Sequence, residues 1–253
     1  MTGQLAVVGI GPGDARWLTV EAQAALDGAE ALYGYGGYLD RVPVRQGQSR
    51  HRSDNREEMK RAAAALDHAA QGARVALVSG GDPGVFAMAA AVCEAIETGP
   101  PAWRALDVTV VPGISAMLAV AARAGAPLGH DFCVLSLSDN LKLWDVIERR
   151  LDAAATAGFV IAFYNPVSRA RPWQLASAFD RLRGHLPGAT PVVFGRSVGR
   201  PDEAVTVTTL AAADASAADM ATLVIVGSRA TRVVAREGRP LVYTPRALTK
   251  ASA

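Results

Sequence analysis

The chain has 253 residues, 50% hydrophobic and 20% charged, a balance that supports one large or two smaller buried cores and excludes a disordered chain. Its 26 basic and 24 acidic residues leave a formal charge of +2, too little for a general nucleic-acid binder, so any basic function must come from local clustering. The two cysteines, Cys93 and Cys133, stand in apolar stretches without metal-ligand spacing; they read as buried reduced thiols of a cytoplasmic protein and argue against a zinc or iron–sulfur site.

Strand and helix signals alternate along the chain. A strand over Leu5–Val8 leads to a helix from about Leu18 to Ala29 and a short strand ending near Tyr33. Arg41–Asn55 is polar, basic and loop-like, and Arg56–Ala70 is an amphipathic helix. Strand Arg74–Val78, helix Val85–Ile96, strand Leu106–Val111 and helix Ile114–Arg123 follow. Ala124-Gly-Ala-Pro-Leu-Gly129 breaks the pattern and divides the chain into an expected domain 1–125 and a second, 126–253. Beyond it come strand Phe132–Leu137, helix Leu141–Ala157, strand Phe159–Tyr164, helix Trp173–Arg183 and strand Pro191–Phe194. The end is richer in strands, at Ala204–Thr208, Thr222–Val226 and Leu241–Tyr243, which allows antiparallel pairing. The fold class is α/β, with a mainly parallel sheet in the first half. Met1 leads almost directly into a strand, so no secretory leader is expected. The longest apolar helix, Val85–Ile96, is too short for a membrane span and carries Glu94.

Three glycine-containing turns close apolar strands in the first half: Gly9-Ile-Gly-Pro-Gly-Asp14, Ser79-Gly-Gly-Asp-Pro-Gly84 and Val111-Pro-Gly-Ile-Ser-Ala116. Turns at the carboxyl ends of parallel strands form the binding crevice of an open α/β sheet, and glycine lets the backbone approach a ligand. The first turn fails as a dinucleotide fingerprint. Asp14 stands where the third glycine belongs, its carboxylate repels phosphate at a helix start, and Pro12 has no N–H to offer. Asp14 serves better as the N-cap of a helix over Trp17–Ala25. With no GKS or GKT either, the expected nucleotide-like ligand lacks phosphates, and S-adenosylmethionine meets that requirement.

These motifs, with Tyr164-Asn165-Pro166 and Thr222-Leu-Val-Ile-Val-Gly227, resemble the tetrapyrrole (precorrin and uroporphyrinogen) methylases over nearly the whole chain. The resemblance implies two α/β domains with S-adenosyl-L-methionine in the cleft between them, a homodimer and a tetrapyrrole substrate; the low net charge and the short apolar segments speak against nucleic acid and membrane as partners. It places Pro12, Gly81, Asp82 and Pro83 at the cofactor, with Val85 and Phe86 lining its pocket. Ser115 and Ala116 touch it from the third turn, Tyr164 and Asn165 approach its adenine side, and Gly227 closes the pocket.

Phe163-Tyr-Asn-Pro-Val-Ser-Arg-Ala-Arg-Pro-Trp-Gln-Leu175, Tyr35-Gly-Gly-Tyr-Leu-Asp40 and Arg196-Ser-Val-Gly-Arg200 are similar to the branch acting at C-17 of precorrin-3B. That branch couples methylation with ring contraction in cobalamin biosynthesis. A precorrin carries many carboxylates, for which arginine offers planar, bidentate recognition. Arg45, Arg50 and Arg52, Arg169 and Arg171, and Arg196 and Arg200 are the substrate-binding candidates. Contraction needs a base; Asp14, Tyr35, Asp40 and His51 come into question, and no spacing selects one. A C-11 or C-20 precorrin methylase, the cobalt-precorrin enzyme of the anaerobic route and a non-catalytic tetrapyrrole carrier stay open. An NAD-dependent oxidoreductase is disfavoured by Pro12 and Asp14.

Overall fold

The computed structural model describes residues 3–54, 56–168 and 170–247. Its contacts divide the chain into Met1–Ala116 and Met117–Ala253.

The first unit runs β1 (Gln4–Gly9), α1 (Val20–Gly28), β2 (Ala31–Tyr35), α2 (Gly36–Leu39), β3 (Ser49–Ser53), α3 (Glu58–Ala70), β4 (Arg74–Ser79), α4 (Met88–Thr98) and β5 (Asp107–Val111). The five strands form one sheet in the order β3-β2-β4-β1-β5, and every pairing is parallel. Both faces of its central strands are buried, which explains their near-continuous apolar runs. Leu5, Val7, Ala31, Tyr33, Val75 and Leu77 pack towards α3 and α4. Their alternates Val8, Leu32, Ala76 and Val78 pack with Ala22 and Leu26 of α1 and Leu39 of α2. The two-residue period of the strand fixes which side chain serves which face.

Two expectations for this unit need correction. Arg41–Asn55 is not all loop: Ser49–Ser53 is the edge strand β3, paired with β2 from Ala31↔Ser49 to Tyr35↔Ser53. Its polar sequence suits an outer edge, where charged side chains discourage further strand pairing. Cys93 is exposed on α4 rather than buried, while Cys133 is partly buried and its thiol is pushed up to about 11 by that burial.

The second unit begins within α5 (Ala116–Ala124) and continues through β6 (Gly125–Ala126), β7 (Phe132–Ser136), α6 (Trp144–Thr156), β8 (Val160–Tyr164) and α7 (Gln174–Arg183). β9 (Pro191–Arg196), β10 (Ala204–Thr209), β11 (Thr222–Val226), β12 (Arg232–Val234) and β13 (Leu241–Tyr243) complete it. Its main sheet has the order β10-β9-β11-β8-β7. β7 and β8 are parallel, and β11 runs antiparallel to both β8 and β9. Ile147 and Leu151 of α6 and Leu175, Phe179 and Leu182 of α7 bury one face against Ile161, Phe163, Val192 and Val224. On the other face Gly195 meets α5 so closely that an added Cβ would lie 2.2 Å from Val120 Cγ2. The expected strand Leu241–Tyr243 joins β12 and β6 in a separate three-stranded sheet. No helix among the described residues is long and apolar enough to cross a membrane.

Candidate active site

The three turns leave the carboxyl ends of β1, β4 and β5, which are neighbours in the first sheet, so parallel pairing alone brings them to one edge. They are then joined through their backbones. Gly11 and Gly81 form an antiparallel bridge, with Gly11 N–H donating to Gly81 O at 3.2 Å and Gly81 N–H to Gly11 O at 3.0 Å. Both lie at positive φ, +67° and +65°, a conformation glycine adopts without penalty. A Cβ on Gly9 would stand 2.7 Å from both Gly113 N and Gly81 O, so the first and third turns touch main chain to main chain.

Asp82 fastens the second turn to the third. One carboxylate oxygen accepts Gly84 N–H at 2.8 Å and the other accepts Gly113 N–H at 3.1 Å. Pro83 is buried, while Val85 and Pro12 are half-buried. Phe86 is 52% exposed and holds φ +52°, which delays α4 to Met88 instead of the expected Val85. Ser115 is buried at the entrance to α5. A Cβ on Gly81 would have nothing nearer than Ser115 Cα, Ile114 O and Ala116 N at 3.9 Å. The turns thus leave room for about one methyl group beside the Gly81 main chain.

The second unit shows a comparable strand-end cluster. Met117 N–H, in the first turn of α5, donates to Tyr164 Oη at 3.1 Å, satisfying one of the donors a helix start leaves open. Asn165 Nδ2 donates to Ser136 Oγ at 3.0 Å, joining the ends of β7 and β8. Gly227 follows β11, its N–H donating to Pro191 O at 2.8 Å and its Cα packed against Thr231. Among the described residues, the non-glycine residues with positive φ are Phe86, Asn165 and Ser197. For Phe86 and Ser197 this costs on the order of 1–2 kcal/mol, while asparagine tolerates it better, and each falls in a segment singled out from the sequence. Strain of this kind concentrates at functional sites.

The candidate bases are differently placed. Asp14 caps the short 3-10 turn Ala15–Trp17, with Arg16 N–H donating to Oδ1 at 3.0 Å; α1 is capped instead by Thr19, which accepts Ala22 N–H. The Arg16 side chain holds Asp14 below the usual carboxylate range, and Arg52 does the same to Asp40 through a 2.6 Å ion pair. A carboxylate so stabilised is a weak base. Tyr35 lies edge-on to Tyr38.

His51 sits within β3, its ring stacked on Tyr33 at 4.3 Å and edge-on to His68 at 5.7 Å. Burial and then the His68 charge lower its pKa. A lowered histidine opposes folding when protonated, so its contribution is complete above about 6.5, the unfolded value, and fades as pH falls through the folded value. We expect calorimetric melting to fall between pH 7 and 5, and to fall less in His51→Phe, which keeps the stack without the titration.

Of the candidate arginines, Arg169 lies outside the described residues. Arg171 forms a 2.5 Å ion pair with Asp139 and also bonds Asn140. Arg196 bridges Asp202 and Asp219 at 2.9 and 2.7 Å. Arg200 is exposed. Arg52 reaches the turn edge beside Gly36, where an added Cβ would lie 2.9 Å from its Nη2. Arg50 is spent on the carbonyls of Leu39, Val42 and Pro43. Arg45 does not join the turns: it pairs with Asp27 at 3.0 Å and lines a cavity of about 470 Å³ at the amino ends of β2 and β4. Asp27 and Glu30 line that cavity beside Arg45 and Arg74, so it has no marked preference for an anion.

The sequence reading missed the braces beneath the turns. Tyr38 lies against Gly80, where a Cβ would be 2.7 Å from its ring. Arg61 is only 4% exposed and ties Ser53 Oγ and Asp54 O to Met88 Sδ. Arg41 grips the first turn. No local pattern distinguishes these residues from neighbouring polar ones.

Strand-end turns joined through glycine backbone at the carboxyl edge of a parallel sheet are where α/β proteins place a small-molecule site. The profile of the Tetrapyrrole (Corrin/Porphyrin) Methylases matches residues 4–214, and the chain belongs to that family of methyltransferases. It is 61% identical, over the full length of both chains, to a Sinorhizobium protein named precorrin-3B C(17)-methyltransferase. A Salmonella typhimurium protein named probable cobalt-factor III C(17)-methyltransferase is 44% identical over 97% of this chain and 99% of its own. A crystal structure of the methyltransferase CobJ superposes with a TM-score of 0.91 at 47% identity, covering 96% of this chain and all of that one.

Proposed function

We propose that this protein transfers the methyl group of S-adenosylmethionine to C-17 of precorrin-3B, with contraction of the macrocycle to precorrin-4, in cobalamin biosynthesis. The 61% identity across the whole of the Sinorhizobium C(17)-methyltransferase is the observation that carries this reading. In this reading the backbone of Gly81 and the third turn at Ser115 and Ala116 receive the cofactor, with Asp82 and Pro83 fixing the second turn. Pro12, Val85 and Phe86 border it, and Tyr164, Asn165 and Gly227 complete its binding. S-adenosylmethionine supplies an electrophilic methyl on a sulfonium; the protein's part is to hold that methyl in line with a nucleophilic ring carbon and to exclude water, so proximity and orientation carry most of the rate. The transfer forms the C-17–methyl bond and releases S-adenosylhomocysteine.

Arg52, Arg171, Arg196 and Arg200, together with Arg169, are proposed to meet the substrate's carboxylates. Arg52, Arg171 and Arg196 already hold aspartates, so precorrin carboxylates would share or displace those partners. The reading includes a cytoplasmic homodimer. Incubation with precorrin-3B and labelled S-adenosylmethionine tests it: a product heavier by one methyl and bearing label at C-17 is expected. Label at C-11 or C-20 assigns another precorrin methylase, and pigment binding without label assigns a carrier.

A second reading, a cobalt-containing substrate, is favoured by the likeness to the Salmonella protein. Parallel reactions with cobalt-free and cobalt-loaded substrate separate the two by kcat/KM.

A further inference from the structure

We propose that Arg41 is a positioning residue for the methyl donor: its guanidinium sets the shape of the first turn, Gly9–Asp14, and through Gly11 the place of Gly81. This rests on the reading of those turns as the cofactor site.

Arg41 follows α2 and is half-buried. Its Nε donates to Gly13 O at 3.1 Å. Its Nη2 donates to Gly13 O at 2.6 Å, Gly11 O at 2.8 Å and Ile10 O at 3.2 Å. Three main-chain carbonyls of one short loop therefore converge on one cation. Their dipoles repel one another when aimed at a common point, and a charged donor between them turns that repulsion into attraction. Removing the guanidinium leaves three converging acceptors with no cation, and the turn relaxes by swinging peptide planes.

Those planes carry the ligand-facing geometry. A trans peptide points its N–H opposite to its C=O. Turning Gly13 O towards Arg41 therefore turns Asp14 N–H away from it, and turning Ile10 O towards Arg41 directs Gly11 N–H to Gly81 O. Gly11 O is the joint, since it accepts both Arg41 and, at 3.0 Å, Gly81 N–H. One side chain thus fixes the peptide orientations of the first turn and the register between the first and second.

The segment bearing Arg41 is itself held. Arg41 N–H donates to Tyr38 O and Val42 N–H to Leu39 O. Arg50, reaching over from β3, bonds the carbonyls of Leu39, Val42 and Pro43 on either side of Arg41. The same short helix presses Tyr38 against Gly80, so the α2 segment supports two turns at once. Lysine cannot replace the planar fork, because a point-like ammonium does not span three carbonyls in fixed directions.

The test compares wild type, Arg41→Ala and Arg41→Lys by calorimetric titration with S-adenosylhomocysteine, by KM for S-adenosylmethionine against kcat, and by rescue with methylguanidinium. Arg41→Ala is expected to bind S-adenosylhomocysteine about 10-fold or more weakly, as loss of charge-assisted hydrogen bonds implies, with KM raised more than kcat is lowered. Arg41→Lys recovers only part of the affinity, and methylguanidinium restores it in Arg41→Ala while leaving wild type unchanged. Wild-type affinity in folded Arg41→Ala, or a lower melting temperature with no change in binding or rescue, overturns the proposal and leaves the cofactor site standing. Failure of wild type to bind S-adenosylhomocysteine overturns both. If Arg41→Ala does not fold, wild-type affinity in Arg41→Lys is the overturning result.

Discussion

Gly113→Ala is expected to abolish detectable binding of S-adenosylhomocysteine while leaving a cooperatively folded protein. The added Cβ would lie 2.2 Å from Gly81 O, 2.9 Å from Gly9 C and 3.0 Å from Gly9 Cα. All three are main-chain atoms, so no flexible side chain can yield, and the third turn must move away from the first two. That movement also stretches the 3.1 Å bond from Gly113 N–H to Asp82. Gly113 itself belongs to neither buried cluster of the sheet, and the nearest core residue before it, Val111 of β5, keeps its place two residues earlier in the chain. Folding should therefore survive a loss of affinity of about 100-fold or more, equivalent to roughly 3 kcal/mol. Gly28→Ala is the control, since an added Cβ there meets nothing within 4 Å, and its binding should match wild type. Full affinity in Gly113→Ala would show that the turns move independently and that their contact is incidental to the ligand.

The distinction between those glycines was only half legible in the sequence. Gly9, Gly81 and Gly113 stood out because each closes an apolar strand, and the period of apolar residues predicts the strands themselves. Val7 and Val8 point to opposite faces and both are fully buried, which is why β1 reads as a continuous run. β3 was missed for the complementary reason. An edge strand with Arg50, His51 and Arg52 has no apolar face of its own, and its existence depends on the open edge of β2, a partner no local pattern announces. The short β6 and β12 were missed in the same way, since they owe their pairing to β13, the expected strand Leu241–Tyr243.

The site divides in the same way. Motifs that meet a ligand through backbone must keep glycine and proline at set spacings, and so can be seen in a single sequence. Residues that brace those motifs act through distant partners. Arg41 reaches back 28 to 31 positions to the first turn, and Asp82 reaches forward 31 to Gly113; nothing within ten residues of either indicates the contact. The same holds for Arg45 and Arg50. Both looked like substrate arginines among polar neighbours, yet one pairs with Asp27 at the far edge of the sheet and the other holds main-chain carbonyls. An arginine in a polar segment is ambiguous until its partner is known.

Asp82→Ala is expected to lower kcat/KM for S-adenosylmethionine by roughly 100-fold, with a smaller loss of thermal stability. Its two oxygens hold Gly84 N–H within the second turn and Gly113 N–H in the third. Alanine leaves both donors without this acceptor, and hydrogen bonds to a charged group are worth about 1.5–3 kcal/mol each. Asp82→Asn sharpens the test because it preserves shape but retains one acceptor oxygen. Whichever way the amide is turned, its NH2 faces a backbone N–H, so one of the two bonds becomes a donor–donor contact. Asn should therefore fall nearer to Ala than its shape suggests, and Glu should not restore function, because the longer side chain cannot reach both N–H groups from the same backbone. Titration with S-adenosylhomocysteine, read beside the melting temperature, separates the roles. A clasp that shapes the cofactor site loses affinity in both variants, whereas a turn cap of stability alone lowers melting and leaves affinity at the wild-type value. The second outcome would remove Asp82 from the site and leave Gly11, Gly81 and Gly113 to hold the three turns together through main chain alone.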